Sequence, residues 1–475
     1  MLFSSPLFLF IFLPASILVY YSLRPWAGNR AANAVLLVFS YLFYLCGAGP
    51  FTLILLGSTV ADYLLGLLIL HRRSADKVWV FVSLTLNIGL LAYFKYANFF
   101  VSEANAWLSA TGRVPVAWTE VALPIGISFF TFQKISYIID VYRRHTRPLA
   151  NFIDFALYVA MFPQLVAGPI VRFKDIWDQL RLRTESWENV YAGSLRFCWG
   201  LAKKVLIADA CGQVADVAFG LDIAMLDTKT AWLGALAYTF QIYFDFSAYS
   251  DMAIGLARVF GFHLLENFNR PYAARSITDF WHRWHISLSR WFQDYVYIPL
   301  GGNRKARGRT YANLLTVFTL CGLWHGANWT FVCWGLYHGF FLIAERLTGF
   351  RRAAVGRWGW IGRPLAFLIV LFGWVLFRAD SLPHAAAFAR IMAIPLELPL
   401  TAELYGVLHY RNVVFMAAAA VATLGASFLP RWEQVFQPCR PWRVALGLVL
   451  IVAILPYCAA FVMAGAANPF IYFRF

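Results

Sequence analysis

Phe51-Thr52-Leu53-Ile54-Leu55-Leu56-Gly57-Ser58-Thr59-Val60-Ala61-Asp62-Tyr63-Leu64-Leu65-Gly66-Leu67-Leu68-Ile69-Leu70 is an almost unbroken apolar run. As a helix, about 20 such residues cross the roughly 30 Å of hydrocarbon in a bilayer. Working outward, similar stretches recur at 6–23, 32–47, 78–100, 121–141, 152–171, 190–212, 230–260, 312–346, 363–379, 412–430 and 444–465. The 312–346 run reads as two short helices. Ten-residue alternating segments, the mark of an outer-membrane barrel, do not describe these runs. The reading is an all-α, polytopic transmembrane helical bundle of about 11–13 spans, taken as a single membrane-embedded domain over residues 1–475.

Composition points the same way. The 475 residues are 61% apolar and 13% charged, with a mean hydropathy of +0.62. A soluble domain has about 45–50% apolar and about 25% charged residues. Pro6 to Tyr21 has no basic segment before it and no small-residue cleavage site after it, so it reads as the first span and not as a signal peptide. The net charge of +16 fits Lys and Arg collected in cytoplasmic loops beside membrane lipids, not nucleic acid. The short basic connection from His71 to Lys77 and a loop from Arg24 to Arg30 both belong inside by that rule. The turn at Gly47–Pro50 and the N-terminus are then outside. The seven cysteines (46, 198, 211, 321, 333, 439 and 458) form no CxxC pair and read as small apolar side chains.

Residues 263–311 break the apolar pattern with Arg270, Arg275, Asp279, Trp281, His282, Arg283, Trp284, His285, Arg290, Trp291 and Asp294. Trp and Arg together favour the headgroup level, so 278–296 is expected to form an amphipathic interface helix. His282 and His285 lack the further ligands of a zinc set, and no metal is assigned. Arg283 and Arg290 suit lipid headgroups or a phosphate-bearing donor.

The segment Cys321-Gly322-Leu323-Trp324-His325-Gly326-Ala327-Asn328-Trp329 places a histidine in an apolar span. Such a residue is costly there and points to function, with packing by an interhelical hydrogen bond as the plainer alternative. The intrinsic pKa of an imidazole suits His325 to acid–base work near neutral pH. Asn328 and Trp329 are expected on its helix face, with Gly322 and Gly326 allowing close approach. Asp245 and Asp251, in Gln241-Ile242-Tyr243-Phe244-Asp245-Phe246-Ser247-Ala248-Tyr249-Ser250-Asp251, lie six apart on different helix faces, which argues against a carboxylate dyad. Each is expensive in a span unless it faces a polar cavity or a base. His145, His263, His338, His384 and His409 read as structural, His338 least firmly because it shares the hairpin of His325.

Read together with 123–133 (Leu-Pro-Ile-Gly-Ile-Ser-Phe-Phe-Thr-Phe-Gln), 162–170 (Phe-Pro-Gln-Leu-Val-Ala-Gly-Pro-Ile), 294–304 (Asp-Tyr-Val-Tyr-Ile-Pro-Leu-Gly-Gly-Asn-Arg) and the tail 467–473, these motifs resemble the membrane-bound O-acyltransferase (MBOAT) family. The match is nearest its bacterial polysaccharide branch, the alginate O-acetyltransferase type, and runs over nearly the whole chain. The resemblance implies a bundle with amphipathic interface helices around a central tunnel, in the bacterial inner (cytoplasmic) membrane. It implies an acetyltransferase that takes its acyl group from a cytosolic donor, with acetyl-CoA as substrate and no tightly bound cofactor. It implies a periplasmic acetyltransferase partner and polysaccharide synthesis and export machinery. His325 matches the usual catalytic histidine and His285 the second. Trp324, Asn328, Asp245, Ser250, Asp251 and Gln164 are expected to support the site or line the tunnel. His282, Gln293 and Ala248 stand where Arg, Arg and Gly are usual, a departure that touches donor docking. Other readings are a transporter, against which no matching pair of halves is found, a non-catalytic assembly subunit, and acyl transfer to teichoic acid (as D-alanine) or peptidoglycan.

Overall fold

The computed structural model describes residues 1–71, 75–355, 359–425, 441–464 and 469–471. Part of the basic 71–77 connection, the ends of the 412–430 and 444–465 runs, Cys439 and most of the 467–473 tail lie outside the described residues. The described structure is helical, with no strand among those residues. Five helical stretches are long and apolar enough to cross a membrane: Phe8–Trp26, Gly28–His71, Asp76–Ala110, Gly359–Arg378 and Trp442–Met463. The protein is therefore an all-α, multi-pass membrane protein. The other apolar runs fold as shorter or more polar helices. Residues 121–126 are not helical, and 152–171 holds only Phe152–Ala160 and Phe162–Leu165.

Contacts divide the chain into two units, residues 1–190 with 257–265 and residues 191–256 with 266–475. In the first, α1 (Leu13–Ala48) joins two expected spans. The expected loop at 24–30 is instead a break within a helix: Pro25 removes a backbone donor and Gly28 adopts φ +71°. Helices α2 (Thr52–His71), α3 (Asp76–Ala110) and α4 (Ile127–Tyr142) meet at a buried ion pair. Asp62 lies 3.6 Å from Lys134 and accepts from Ser83 and Asn87. A carboxylate in a span is tolerated here because a base and two donors surround it.

The second unit solves the same problem twice. Its helices α5 (Trp187–Ala202), α6 (Asp209–Gly220) and α7 (Thr228–Val259) surround a π turn, Lys203–Ala208. Lys203 pairs with Asp251, which Arg196 also bonds at 2.8 Å. Lys204 pairs with Asp245 at 2.7 Å and Asp209 at 2.8 Å. Adjacent residues differ by roughly 100° around a helix and residues six apart by roughly 120°, so neighbouring lysines can serve the two aspartates on different faces. Helices α10 (Arg307–His325) and α11 (Trp329–Thr348) form the expected hairpin. Its seam is made by glycines: a Cβ at Gly322 would strike the Phe331 carbonyl, and one at Gly335 the Phe318 carbonyl. Helix α12 (Gly359–Arg378) completes the surroundings of this hairpin.

Candidate active site

His325 is the last residue of α10. The helix stops there because Gly326 is extended (φ −167°, ψ 156°) and Asn328 starts α11 as its N-cap, accepting from the Thr330 N–H at 3.0 Å. The expectation that Asn328 and Trp329 share the helix face of His325 is thereby corrected. Asn328 instead donates to the Asp380 carbonyl at 3.0 Å, tying the α10–α11 turn to the end of α12. The His325 ring, 7% exposed, stands against Trp324, Trp334 and Phe377 at centroid separations of 4.9, 5.1 and 5.1 Å.

His285 reaches the same cluster from another element. The expected continuous helix over 278–296 is interrupted, with α8 (Ile277–Arg283) and α9 (Ile286–Phe292) separated by a break at Trp284 and His285. His285 takes a left-handed conformation (φ 43°, ψ 55°), uncommon for a residue with a Cβ and worth attention when it recurs at a site. Ser276 caps the first helix, and Glu345 of α11 accepts from the Ile277 and Thr278 N–H groups. The break buries the imidazole completely, 4.7 Å from the Phe246 ring and 5.9 Å from Trp324. Trp324 thus touches both histidines.

The proton on His285 can be assigned. Asn267 Oδ1 accepts from the Ser287 backbone N–H at 3.2 Å and the Ser287 hydroxyl at 2.8 Å, and it lies 3.1 Å from His285 Nδ1. The backbone N–H can only donate, which fixes that Asn267 atom as oxygen and makes Nδ1 of His285 the donor. Asn267 Nδ2 donates to Ser250 Oγ at 3.1 Å. In the neutral ring the lone pair is then on Nε2, which has no hydrogen-bond partner among the described residues.

The family's sequence model, described as the membrane-bound O-acyltransferase family (MBOAT), matches residues 84–380. That is more than half of the chain and includes every residue discussed above as part of the site. The chain belongs to the membrane-bound O-acyltransferase family. It is an O-acyltransferase. It is 48% identical to the probable alginate O-acetylase AlgI of Pseudomonas aeruginosa, over 81% of this chain and 73% of that protein. It is 39% identical to the peptidoglycan O-acetyltransferase of Helicobacter pylori, over 81% and 78%. A teichoic acid D-alanyltransferase of Bacillus subtilis is 29% identical over 55% of this chain and 70% of its own.

In this acyltransferase the structure brings His285, Trp324 and His325 together, with Ser250 behind His285 through Asn267. Asp245 and Asp251 are held in the ion pairs of the second unit. Gln164 belongs to the first unit, where its Nε2 donates to the Tyr158 carbonyl at 2.7 Å. Asn267, Trp334 and Phe377 are neighbours that sequence reading missed. Asn267 stands 18 positions before His285, about 27 Å apart along a continuous helix, so no element periodicity brings the two into contact. Among the described residues, no group of three His, Cys, Asp or Glu side chains is placed to hold a metal ion.

Proposed function

We propose that this acyltransferase takes an acetyl group from acetyl-CoA on the cytosolic side of a bacterial inner membrane. It passes the group outward for O-acetylation of an exported, alginate-like polysaccharide, through a periplasmic partner transferase. Residues 1–475 serve this one activity as a membrane-embedded domain. The observation that carries the reading is the pairing of His285 and His325 across Trp324, one of them with its proton fixed.

His325 acts as general base. It takes the proton of the acceptor hydroxyl as that oxygen attacks the thioester carbonyl. The tetrahedral intermediate collapses with loss of the C–S bond, and the thiolate takes up a proton, leaving an ester and free CoA. His285 Nε2 faces the site as an acceptor and positions a hydroxyl or protonated group of donor or acceptor. Trp324 separates and orients the two imidazoles, while Asn328 holds the turn on which His325 ends. The aromatic walls exclude water, which would otherwise hydrolyse the thioester. Identity to the alginate O-acetylase supports the acceptor class.

Sidedness tests this reading. Vesicles carrying the protein are loaded with acetyl-labelled CoA, and the partner transferase with mannuronate polymer is supplied outside. Label on the external polymer is the expected result. Free labelled acetate alone, or label confined to the lumen, would contradict vectorial transfer.

A further inference from the structure

His338 is fully buried on α11, one turn beyond Trp334, and neither of its ring nitrogens has a hydrogen-bond partner among the described residues. Its ring touches Trp281 at 5.0 Å and Trp334 at 5.0 Å, and those two indoles touch each other at 5.6 Å. The Nε1 groups of Trp281 and Trp334 are also buried without partners among the described residues. The backbone of α12 comes close as well: a Cβ at Gly373 would lie 2.8 Å from His338 Nε2.

Packing alone does not explain this choice. A phenylalanine would fill the same slot without burying two bare nitrogens, each of which costs about 1–3 kcal/mol when unsatisfied. These four nitrogens, without partners among the described residues, sit on three mutually touching rings and give this aromatic wall a polar patch in composition. Trp334 also stands against His325 at 5.1 Å, so the patch is one ring away from the proposed base.

The chemistry of the patch is specific. Two indoles and a neutral imidazole offer three N–H donors and a single lone pair. A carbonyl or carboxylate would leave that lone pair unmet, and a cation would find only one acceptor. A hydroxyl accepts from the two indole N–H groups and donates its own proton to the imidazole lone pair, leaving only the imidazole N–H, on the ring's other edge, to be met elsewhere. We propose that His338, Trp281 and Trp334 form a hydroxyl-binding subsite beside His325, occupied either by the acceptor alcohol or by an internal water. The link to turnover rests on the acyl-transfer reading above, whereas the binding of a hydroxyl does not.

The test compares wild type, His338→Phe and His338→Gln in detergent, following thiol release from acetyl-CoA with varied acceptor. His338→Phe is expected to lower kcat/KM for the acceptor by about tenfold or more, one lost hydrogen bond to a buried group being worth that much. His338→Gln, which keeps a donor and an acceptor, is expected to recover most of it. A rise in acceptor KM assigns the hydroxyl to the acceptor; a fall in kcat at constant KM assigns it to water. Equal kinetics for His338→Phe and wild type would overturn the subsite.

Histidine ring nitrogen NMR gives an answer independent of turnover. The signals lost in His338→Phe or His338→Gln, which identify His338, should show an imidazole lone pair that accepts a hydrogen bond. A bare lone pair would overturn the subsite whether the folded variants turn over or not. Absence of any thioester turnover by wild type would instead remove the acyl-transfer reading and leave the NMR result to decide the subsite.

Discussion

Asn267 Oδ1 collects three contacts at once, from the Ser287 backbone, the Ser287 hydroxyl and His285 Nδ1. Replacing it with leucine frees the imidazole to change tautomer and leaves a buried N–H unmet. Thiol release by Asn267→Leu is therefore expected to fall by about tenfold or more, with Asn267→Asp, still an acceptor, falling less. A leucine variant with wild-type turnover would remove Asn267 from the site. Lys204 makes a stability prediction of the same kind, because it faces both Asp245 and Asp209 in a buried setting. Lys204→Met removes the shared base from two buried carboxylates and should cost about 3–5 kcal/mol in detergent unfolding, as loss of one partner from a buried pair does. His325 was legible as a candidate because a histidine is costly in an apolar span, whereas His285 was singled out only through the family resemblance. Its partner Asn267 was not legible, since a long-range hydrogen bond leaves no mark on periodicity.

At the scale of elements, the α10–α11 hairpin was legible as two short helices within 312–346, but its turn at 326–328 was not, since Asn328 and Trp329 were expected on the helix face of His325. Nor was the break at His285. No glycine or proline marks it, and the left-handed backbone is held by tertiary contacts that the sequence does not display. The glycine seam gives a prediction with an internal control. Gly335→Ala places a methyl against the Phe318 carbonyl and should lower stability by about 1–3 kcal/mol through overpacking. Gly89→Ala, on α3, meets nothing within 4 Å and should be neutral or stabilising by up to about 1 kcal/mol from helix propensity. Thermal unfolding of the two variants measures both signs; equal destabilisation would show that the seam is not close-packed.

Across the whole molecule, a sequence-based expectation of about 11–13 spans meets five helices that qualify by length and apolarity among the described residues. A hydropathy window scores each charge alone, whereas the fold pairs Asp62 with Lys134 and Lys204 with Asp245. Much of the polytopic character was therefore legible, and the ion-paired interiors were not. Glu185, outside the expected spans, extends the account to pH. Burial pushes its carboxyl pKa up, but hydrogen bonds from Arg24 and Tyr20 outweigh that and hold it below the ordinary value. A depressed folded-state pKa stabilises above the unfolded pKa and loses that contribution as pH falls. The Tm difference between wild type and Glu185→Gln should shrink as pH drops through about 4.3 toward the lower folded value; a constant difference would contradict it. The central claim is that His325 is the base of an acyl transfer. Its most direct test is release of free thiol from acetyl-CoA by purified wild type and by folded His325→Ala, each with the partner transferase present. The account predicts turnover by the wild type and none above background by the variant, whereas equal turnover would contradict it.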